Sequence, residues 1–376
     1  MHNDCGRLAQ PAFDAYPASV HAKISAIAST QGHLAFGLHC NLTERFDPMS
    51  DLPIIDLAAF DRGDPTARGL VVAAVDRACR DIGFLLVGGH GVPDDVIRRM
   101  HDLSADFFAQ PLSYKKRMEV PAHQDLGWKG QGDSYLADTL TPDENGPTAQ
   151  DWKESFGMGP IHFPADPTPQ EKIYASCNIY PERPAGFAQA YEDYYAHMER
   201  VADSIMRIFA AGLGLDECYF ADKIDRHISV LAAHHYPAQV SAPAPGQIRA
   251  GAHTDFGSLT ILHTGDNPGG LQVRNSEGAW QDVVPEPGLF VVNIGDLMAQ
   301  WTNDRWVSTL HRVVNPPAAR AHLARQSITF FHQPNYHAAI ECLPGCSGPA
   351  DPPKYPPVFS GEHLAMKLAR LRGLAA

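Results

Sequence analysis

The chain has 376 residues, 44% of them hydrophobic, enough apolar material for a sizeable core in one large or two medium domains. Glycine and proline number 31 each, a level that favours many short elements joined by turns and excludes collagen and coiled coil. With 30 basic against 43 acidic residues the formal net charge is −13, and a surface this acidic repels phosphate backbones and anionic headgroups, which argues against nucleic-acid and membrane partners.

Residues 1–50 lack sustained periodicity and read as a poorly ordered extension. Because Met49-Ser50-Asp51 resembles an ordinary protein start, the first 48 residues are expected to be dispensable or misassigned, with a packed helix over His21 to Thr30 as the alternative. No apolar run approaches the roughly 18 residues of a membrane span, and no signal peptide is evident. The clean strand signal Leu52-Pro53-Ile54-Ile55-Asp56-Leu57 opens the ordered part.

Asp64-Pro65-Thr66 starts an amphipathic helix that runs to about Arg80, with Leu70, Val71, Ala74, Val75 and Ala78 on one face and Gly83 as its stop. A strand over Gly83 to Val87 follows, and Pro93 opens a helix whose Val96, Met100, Leu103 and Phe107 recur three or four apart. Residues 124–169 are rich in Gly, Asp, Pro and Thr and too long for an ordinary connection, which suggests a functional loop. Trp128, Tyr135 and the block Asp151-Trp152-Lys153-Glu154-Ser155-Phe156 in that loop suit either a pocket wall or fold support. Ala185 to Leu213 reads as one long helix with Phe187, Tyr191, Tyr194, Met198, Val201, Ile205 and Phe209 on its buried stripe.

After residue 225, short apolar or alternating runs recur at 228–236, 259–264, 271–274, 280–284, 289–294, 307–314 and 326–332. Some seven or eight strands at this spacing suggest a jelly roll or a closed barrel, and a helix over Gly361 to Leu371 ends the chain. The expected organisation is therefore an α/β portion with a long pocket loop over 51–225, a β core over 226–340, and a tail with a helix over 341–376. The seven cysteines are scattered without a Cys-x-x-Cys pair, so plain thiols and a reducing, cytoplasmic compartment are expected, Cys342 and Cys346 included.

Within the β region stand Gly251-Ala252-His253-Thr254-Asp255 and, far downstream, His311-Arg312-Val313. Residues i and i+2 of a strand share a face, so His253 and Asp255 offer a nitrogen and an oxygen to one metal, and His311 completes three ligands. Two histidines and a carboxylate on one face of an octahedron leave open positions, as in non-haem Fe(II) oxygenases, whereas a closed structural zinc site would leave none. Arg325-Gln326-Ser327 repeats the i, i+2 pattern. Arginine's planar fork with an added hydroxyl suits the far carboxylate of a dicarboxylate, a surface ion pair being the plain alternative. Gly88-Gly89-His90-Gly91 lacks the lysine of a phosphate loop and reads as a turn.

From Leu52 onward the sequence resembles the iron- and 2-oxoglutarate-dependent dioxygenases of the isopenicillin N synthase-like superfamily. The resemblance lies in Pro53-Ile54-Ile55-Asp56-Leu57, Gly83-Phe84, His90-Gly91-Val92-Pro93, the His253 block, Gly269-Gly270-Leu271-Gln272-Val273, Asn293-Ile294-Gly295-Asp296, His311-Arg312-Val313, Arg325-x-Ser327 and Pro334-Asn335. It implies a mainly β fold with α, a double-stranded β-helix (jelly-roll) core with a helical N-terminal portion and a C-terminal helix. It also implies that His253, Asp255 and His311 bind Fe(II), and that Arg325, Ser327 and Tyr236 bind 2-oxoglutarate. His234 stands where many relatives carry Asn, and it reads as a core histidine or a substrate contact. His235, His263, His332 and His337 match no ligand position and read as structural or surface histidines.

The implied activity is oxidation of a small-molecule metabolite, as in secondary metabolism, with O2 as oxidant and release of succinate and CO2. Hydroxylation is the default outcome, desaturation or cyclisation the variants, and ascorbate a stimulant. The chain is expected to act as a monomer or homodimer. One rival is an iron oxidase of the same superfamily that does not consume 2-oxoglutarate, as in isopenicillin N synthase; another is a non-catalytic module binding a ligand at a metal-supported pocket.

Overall fold

The computed structural model describes residues 52–371 except 63, 121–125, 135, 137–149, 163, 175–177, 240, 242, 245, 266–268 and 285. The expectations for residues 1–48 and for Tyr135 fall outside the described residues. β1 (Ile54–Asp56) pairs in parallel with β2 (Phe84–Gly88). β3 (Gly127–Lys129) and β4 (Glu154–Met158) form an antiparallel pair inside the segment expected to be loop. Their shortness and the glycines at 127 and 157 hid the alternation that marks a strand.

Eight further strands follow: β5 (Val230–Tyr236), β6 (Ala250–His253), β7 (Leu259–His263), β8 (Leu271–Arg274), β9 (Trp280–Asp282), β10 (Phe290–Ile294), β11 (His311–Val313) and β12 (Arg325–His332). Among the described residues they complete an eight-stranded sheet in the order β1-β2-β10-β7-β12-β5-β4-β3 and a four-stranded sheet in the order β6-β11-β8-β9. This is the double-sheet jelly roll expected from the sequence. The strand expected over 307–314 shrinks to β11, because Val307 to Leu310 lie outside any ladder, with the Val307 amide bonded to the Cys79 carbonyl at 2.9 Å.

Three helices cover one face of the large sheet: α1 (Pro65–Asp81), α2 (Asp94–Phe108) and α3 (Phe187–Gly212). Asp64 caps α1 by accepting the amides of Thr66 and Ala67 at 2.9 and 3.4 Å, with proline in the first turn. Gly83 ends it at φ +67, where a Cβ would lie 2.1 Å from the Val307 carbonyl oxygen. All seven residues of the expected α3 stripe are buried. A short helix, α4 (Asp296–Trp301), follows β10, and α5 (Ser360–Leu371) closes the described chain.

Strand alternation divides the interior. Leu85 and Val87 of β2, and Ile328 and Phe330 of β12, join the helices in one core with Met100, Phe107 and Tyr191. Phe84 and Leu86 point the other way and pack with Leu271, Val273 and Val313 of the small sheet. Each such fully buried side chain contributes roughly 1.5–3 kcal/mol, so both faces hold the large sheet rigid and the site inherits that rigidity. Among the described residues no helix is long and apolar enough to cross a membrane. Cys79, Cys342 and Cys346 are free, whereas Cys218 is disulfide-bonded, which corrects the expectation of thiols throughout. Sequence spacing does not reveal which cysteines the fold brings within bonding distance.

Candidate active site

His253 closes β6 and His311 opens β11, and the two stand opposite each other in antiparallel register. Pairing thus turns a long sequence separation into a cross-strand contact, with ring centroids 4.3 Å apart. The strand ends at His253, so Asp255 is not on it, contrary to expectation; it lies in the turn before β7. Two bonds hold the turn: the Asp296 amide donates to the Asp255 carbonyl at 2.7 Å, and the Asn293 side-chain amide donates to Asp255 Oδ2 at 2.7 Å. The other oxygen, Oδ1, then sits 3.8 Å from His253 Nε2 and 3.7 Å from His311 Nε2.

Each imidazole has its proton placed. His253 Nδ1–H donates to the Gly251 carbonyl at 2.7 Å and His311 Nδ1–H to the Thr309 carbonyl at 3.1 Å. A carbonyl only accepts, so both Nε2 lone pairs face the centre. Burial, then the neighbouring His311, push His253 far below the usual histidine range. Burial raises Asp255, but His311, His253 and the hydrogen bonds from Asn293 and Thr260 outweigh it and hold the carboxylate ionised. The three ligand atoms lie within 4.8 Å of one another, a set that fits a divalent ion with open positions.

Arg325 and Ser327 face the same cavity from β12, with Tyr236 paired to Arg325 across the ladder. The guanidinium is 2% exposed and has no acidic partner among the described residues. Its Nη1 reaches the Ser327 hydroxyl at 3.2 Å, its Nε donates to the Gly269 carbonyl at 3.1 Å, and it lies 4.8 Å above the Tyr236 ring. A buried cation without a counter-ion is costly, so the position suits an anionic ligand.

Two family models match the chain: a non-haem dioxygenase N-terminal region, described as in morphine synthesis, over residues 52–183, and the 2OG-Fe(II) oxygenase superfamily over residues 227–334. Validamycin A dioxygenase of Streptomyces hygroscopicus subsp. limoneus is 33% identical over 291 residues, 77% of this chain and 78% of its own. The chain belongs to the 2-oxoglutarate- and Fe(II)-dependent oxygenases. Homoarginine-6-hydroxylase 2-ODD-233 of Oryza sativa subsp. japonica is 30% identical, over 79% of this chain and 88% of its own. The crystal structure of a full-length Neurospora crassa protein in complex with alpha-KG and thymine matches with a TM-score of 0.73 at 31% identity, covering 85% of this chain and 96% of that one. When bound, Fe(II) lets 2-oxoglutarate and O2 react to succinate and CO2 as the substrate is oxidised.

The oxygenase builds the rest of its cavity from β3 and β4. Gly127 and Lys129, with Ser155 and Gly157, face the cavity, so alternation sends Trp128 and Phe156 to the opposite face and into the helical core. Trp128 is thus fold support: it is 4% exposed and donates its indole N–H to Glu154 at 2.8 Å. Glu154 also receives Lys115 at 2.6 Å and His235 at 3.0 Å. Of the other histidines that match no ligand position, His263 and His332 are held by protein partners and His337 lies at the surface. His263 bonds His101 at 2.8 Å, His332 bonds the Ser258 hydroxyl at 2.6 Å, and His337 approaches Thr168 at 3.3 Å.

His234 lines the cavity, and among the described residues its Nδ1 has no hydrogen-bond partner. Sequence reasoning missed Asn293, whose motif was noticed but not its bond to Asp255, whereas Lys153 and Ser155, in the block that suited pocket wall or fold support, line the cavity. It also missed Arg249, a second buried guanidinium, bonded to the Leu323 carbonyl at 2.9 Å and pushed down to about 10 by burial first and then by Arg325. No local signal marked Arg249, since only folding brings it beside Arg325.

Proposed function

We propose that His253, Asp255 and His311 hold Fe(II), and that Arg325, Ser327 and Tyr236 bind the distal carboxylate of 2-oxoglutarate in this dioxygenase. The observation that carries the reading is the convergence of two Nε2 atoms and one carboxylate oxygen on a cavity that also receives a buried, acid-free arginine. The match to the 2OG-Fe(II) oxygenase family and to a structure solved with alpha-KG supports a 2-oxoglutarate-consuming enzyme over an iron oxidase that keeps the same arginine and serine without consuming it, and the convergent triad argues against a non-catalytic module.

The chain's residues bind, orient and exclude water; the fixed Nδ1 protons keep the imidazoles from rotating, and the apolar wall of Phe84, Leu262, Leu271 and Val313 keeps the centre dry. The main substrate is a small molecule, and hydroxylation is its default fate. Validamycin A, homoarginine and thymine, named with three relatives, share no scaffold, so none is carried over to this chain. The acidic surface supports a protein without nucleic-acid or membrane partners.

Succinate release in air with Fe(II), 2-oxoglutarate and a metabolite panel tests the reading. His253→Ala, Asp255→Ala and His311→Ala should each abolish Fe(II) binding and turnover while leaving the fold intact. Full turnover by His311→Ala would refute the metal assignment.

A further inference from the structure

Strand register lays a polar row across the cavity floor. Lys129 pairs with Ser155, Ser155 with His234, and His234 with Ser327, and all four line the cavity. The parallel row two residues along is Gly127, Gly157, Ala232 and Thr329. Three of those four positions carry no side chain or a methyl group, which leaves room above the sheet beside the polar row.

Lys153 precedes β4 and overlooks this space with its side chain only 10% exposed. Among the described residues its one ionic partner, Asp151, stands 3.8 Å away, beyond hydrogen-bond reach. That carboxylate is already taken by the Ser134 hydroxyl at 2.6 Å and by the amides of Gly251 and Leu136 at 2.8 and 3.3 Å. An ammonium has three donors, and among the described residues Lys153 places none of them in a hydrogen bond. A largely buried cation with idle donors seeks an acceptor from the cavity. His234 adds a buried Nδ1 in the adjoining row that has no hydrogen-bond partner among the described residues. Burial, then Lys153 and Arg325, hold its pKa well below the usual histidine range, so the ring is neutral and adds no charge of its own.

We propose that the main substrate carries a carboxylate and that Lys153 binds it, with the apolar remainder lying over the Gly127–Gly157 floor toward Leu126 and Leu364. The inference rests on the reading above, in which Arg325 is engaged by 2-oxoglutarate and leaves Lys153 to the substrate. A substrate headed by a guanidinium or ammonium alone would meet like charge there.

The test uses matched acids and amides: 3-phenylpropionate against 3-phenylpropanamide, and hexanoate against hexanamide. Each is titrated calorimetrically into the full-length enzyme loaded with Fe(II) and 2-oxoglutarate without oxygen. The acid should bind about tenfold or more tightly than its amide, the scale of a charge-assisted hydrogen bond. Lys153→Met should erase that gap and Lys153→Arg should restore most of it, which separates lost charge from lost fold. Equal response to acid and amide, including none to either, overturns the inference. So does a Lys153→Met defect that falls on 2-oxoglutarate binding instead. Succinate release by the wild-type enzyme in air is measured alongside: its absence would fault the underlying reading, whereas its presence with no acid preference faults the lysine assignment alone.

Discussion

Asn293 donates its side-chain amide to Oδ2 of Asp255 at 2.7 Å, and that bond leaves Oδ1 as the oxygen facing both imidazoles. Asn293 belongs to β10 of the large sheet and Asp255 to the turn after β6, so a hydrogen bond from a separate strand, beside the one from Thr260, sets the ligand's rotation. Asn293→Ala should therefore weaken Fe(II) binding about 10–100-fold, as losses of such supporting contacts do, with little change in melting temperature. Anaerobic Fe(II) titration checks this, and unaltered affinity would show that the Asp296 amide and the Thr260 hydroxyl hold Asp255 without it.

The same pair shows what the sequence could and could not reveal. His253 and Asp255 are visible because a two-residue spacing is local, and His311 because its Arg-Val sequel accompanies it. Asn293 shows only as part of a motif, since its partner lies on another strand and no short-range pattern encodes that bond. The α3 stripe is legible for a simpler reason: thirteen of its residues are buried, and a 3.6-residue period over 26 residues leaves a strong trace. β3 and β4 leave none, being three and five residues long with glycine at cavity-facing positions. Trp128 is ambiguous in sequence because an aromatic residue suits pocket and core alike, and only the strand's facing decides.

Arg325 yields a prediction about the co-substrate. Its guanidinium already spends Nε on the Gly269 carbonyl, which orients the remaining fork beside Ser327. Arg325→Lys substitutes a point charge that cannot make the same pair of contacts, so 2-oxoglutarate binding should weaken by about 1–3 kcal/mol. Ser327→Ala should cost less, about 0.5–1.5 kcal/mol, because it removes a neutral donor. The apparent KM for 2-oxoglutarate reads both. A larger loss for Ser327→Ala than for Arg325→Lys would reassign the anchor.

Trp128 makes a contrasting prediction. Removing a buried indole should destabilise the fold by about 3–5 kcal/mol. Because the ring points away from the cavity, the folded fraction of Trp128→Ala should keep its 2-oxoglutarate affinity. Chemical denaturation together with co-substrate titration separates the two effects. A weakened co-substrate affinity with unchanged stability would mean that the ring acts on the cavity after all.

Glu154, the acceptor of that indole, supplies a pH dependence whose sign can be worked out. Burial raises its pKa, but hydrogen bonds from His235, Lys115 and Trp128 win and leave it below the ordinary glutamate value of about 4.3. A carboxyl depressed on folding adds stability above its unfolded pKa and loses it as the pH falls through the folded one. Glu154→Gln keeps the shape but strips the charge, leaving Lys115, whose side chain is 11% exposed, without its anion. At neutral pH the variant should be less stable by about 3–5 kcal/mol, the cost of breaking a buried pair from one side. Below about pH 4 the wild-type carboxyl takes up a proton as well, so the gap between the two melting temperatures should narrow there. A gap of constant size from pH 7 to acid would mean that Glu154 contributes through packing and its neutral hydrogen bonds, and that its charge toward Lys115 adds nothing.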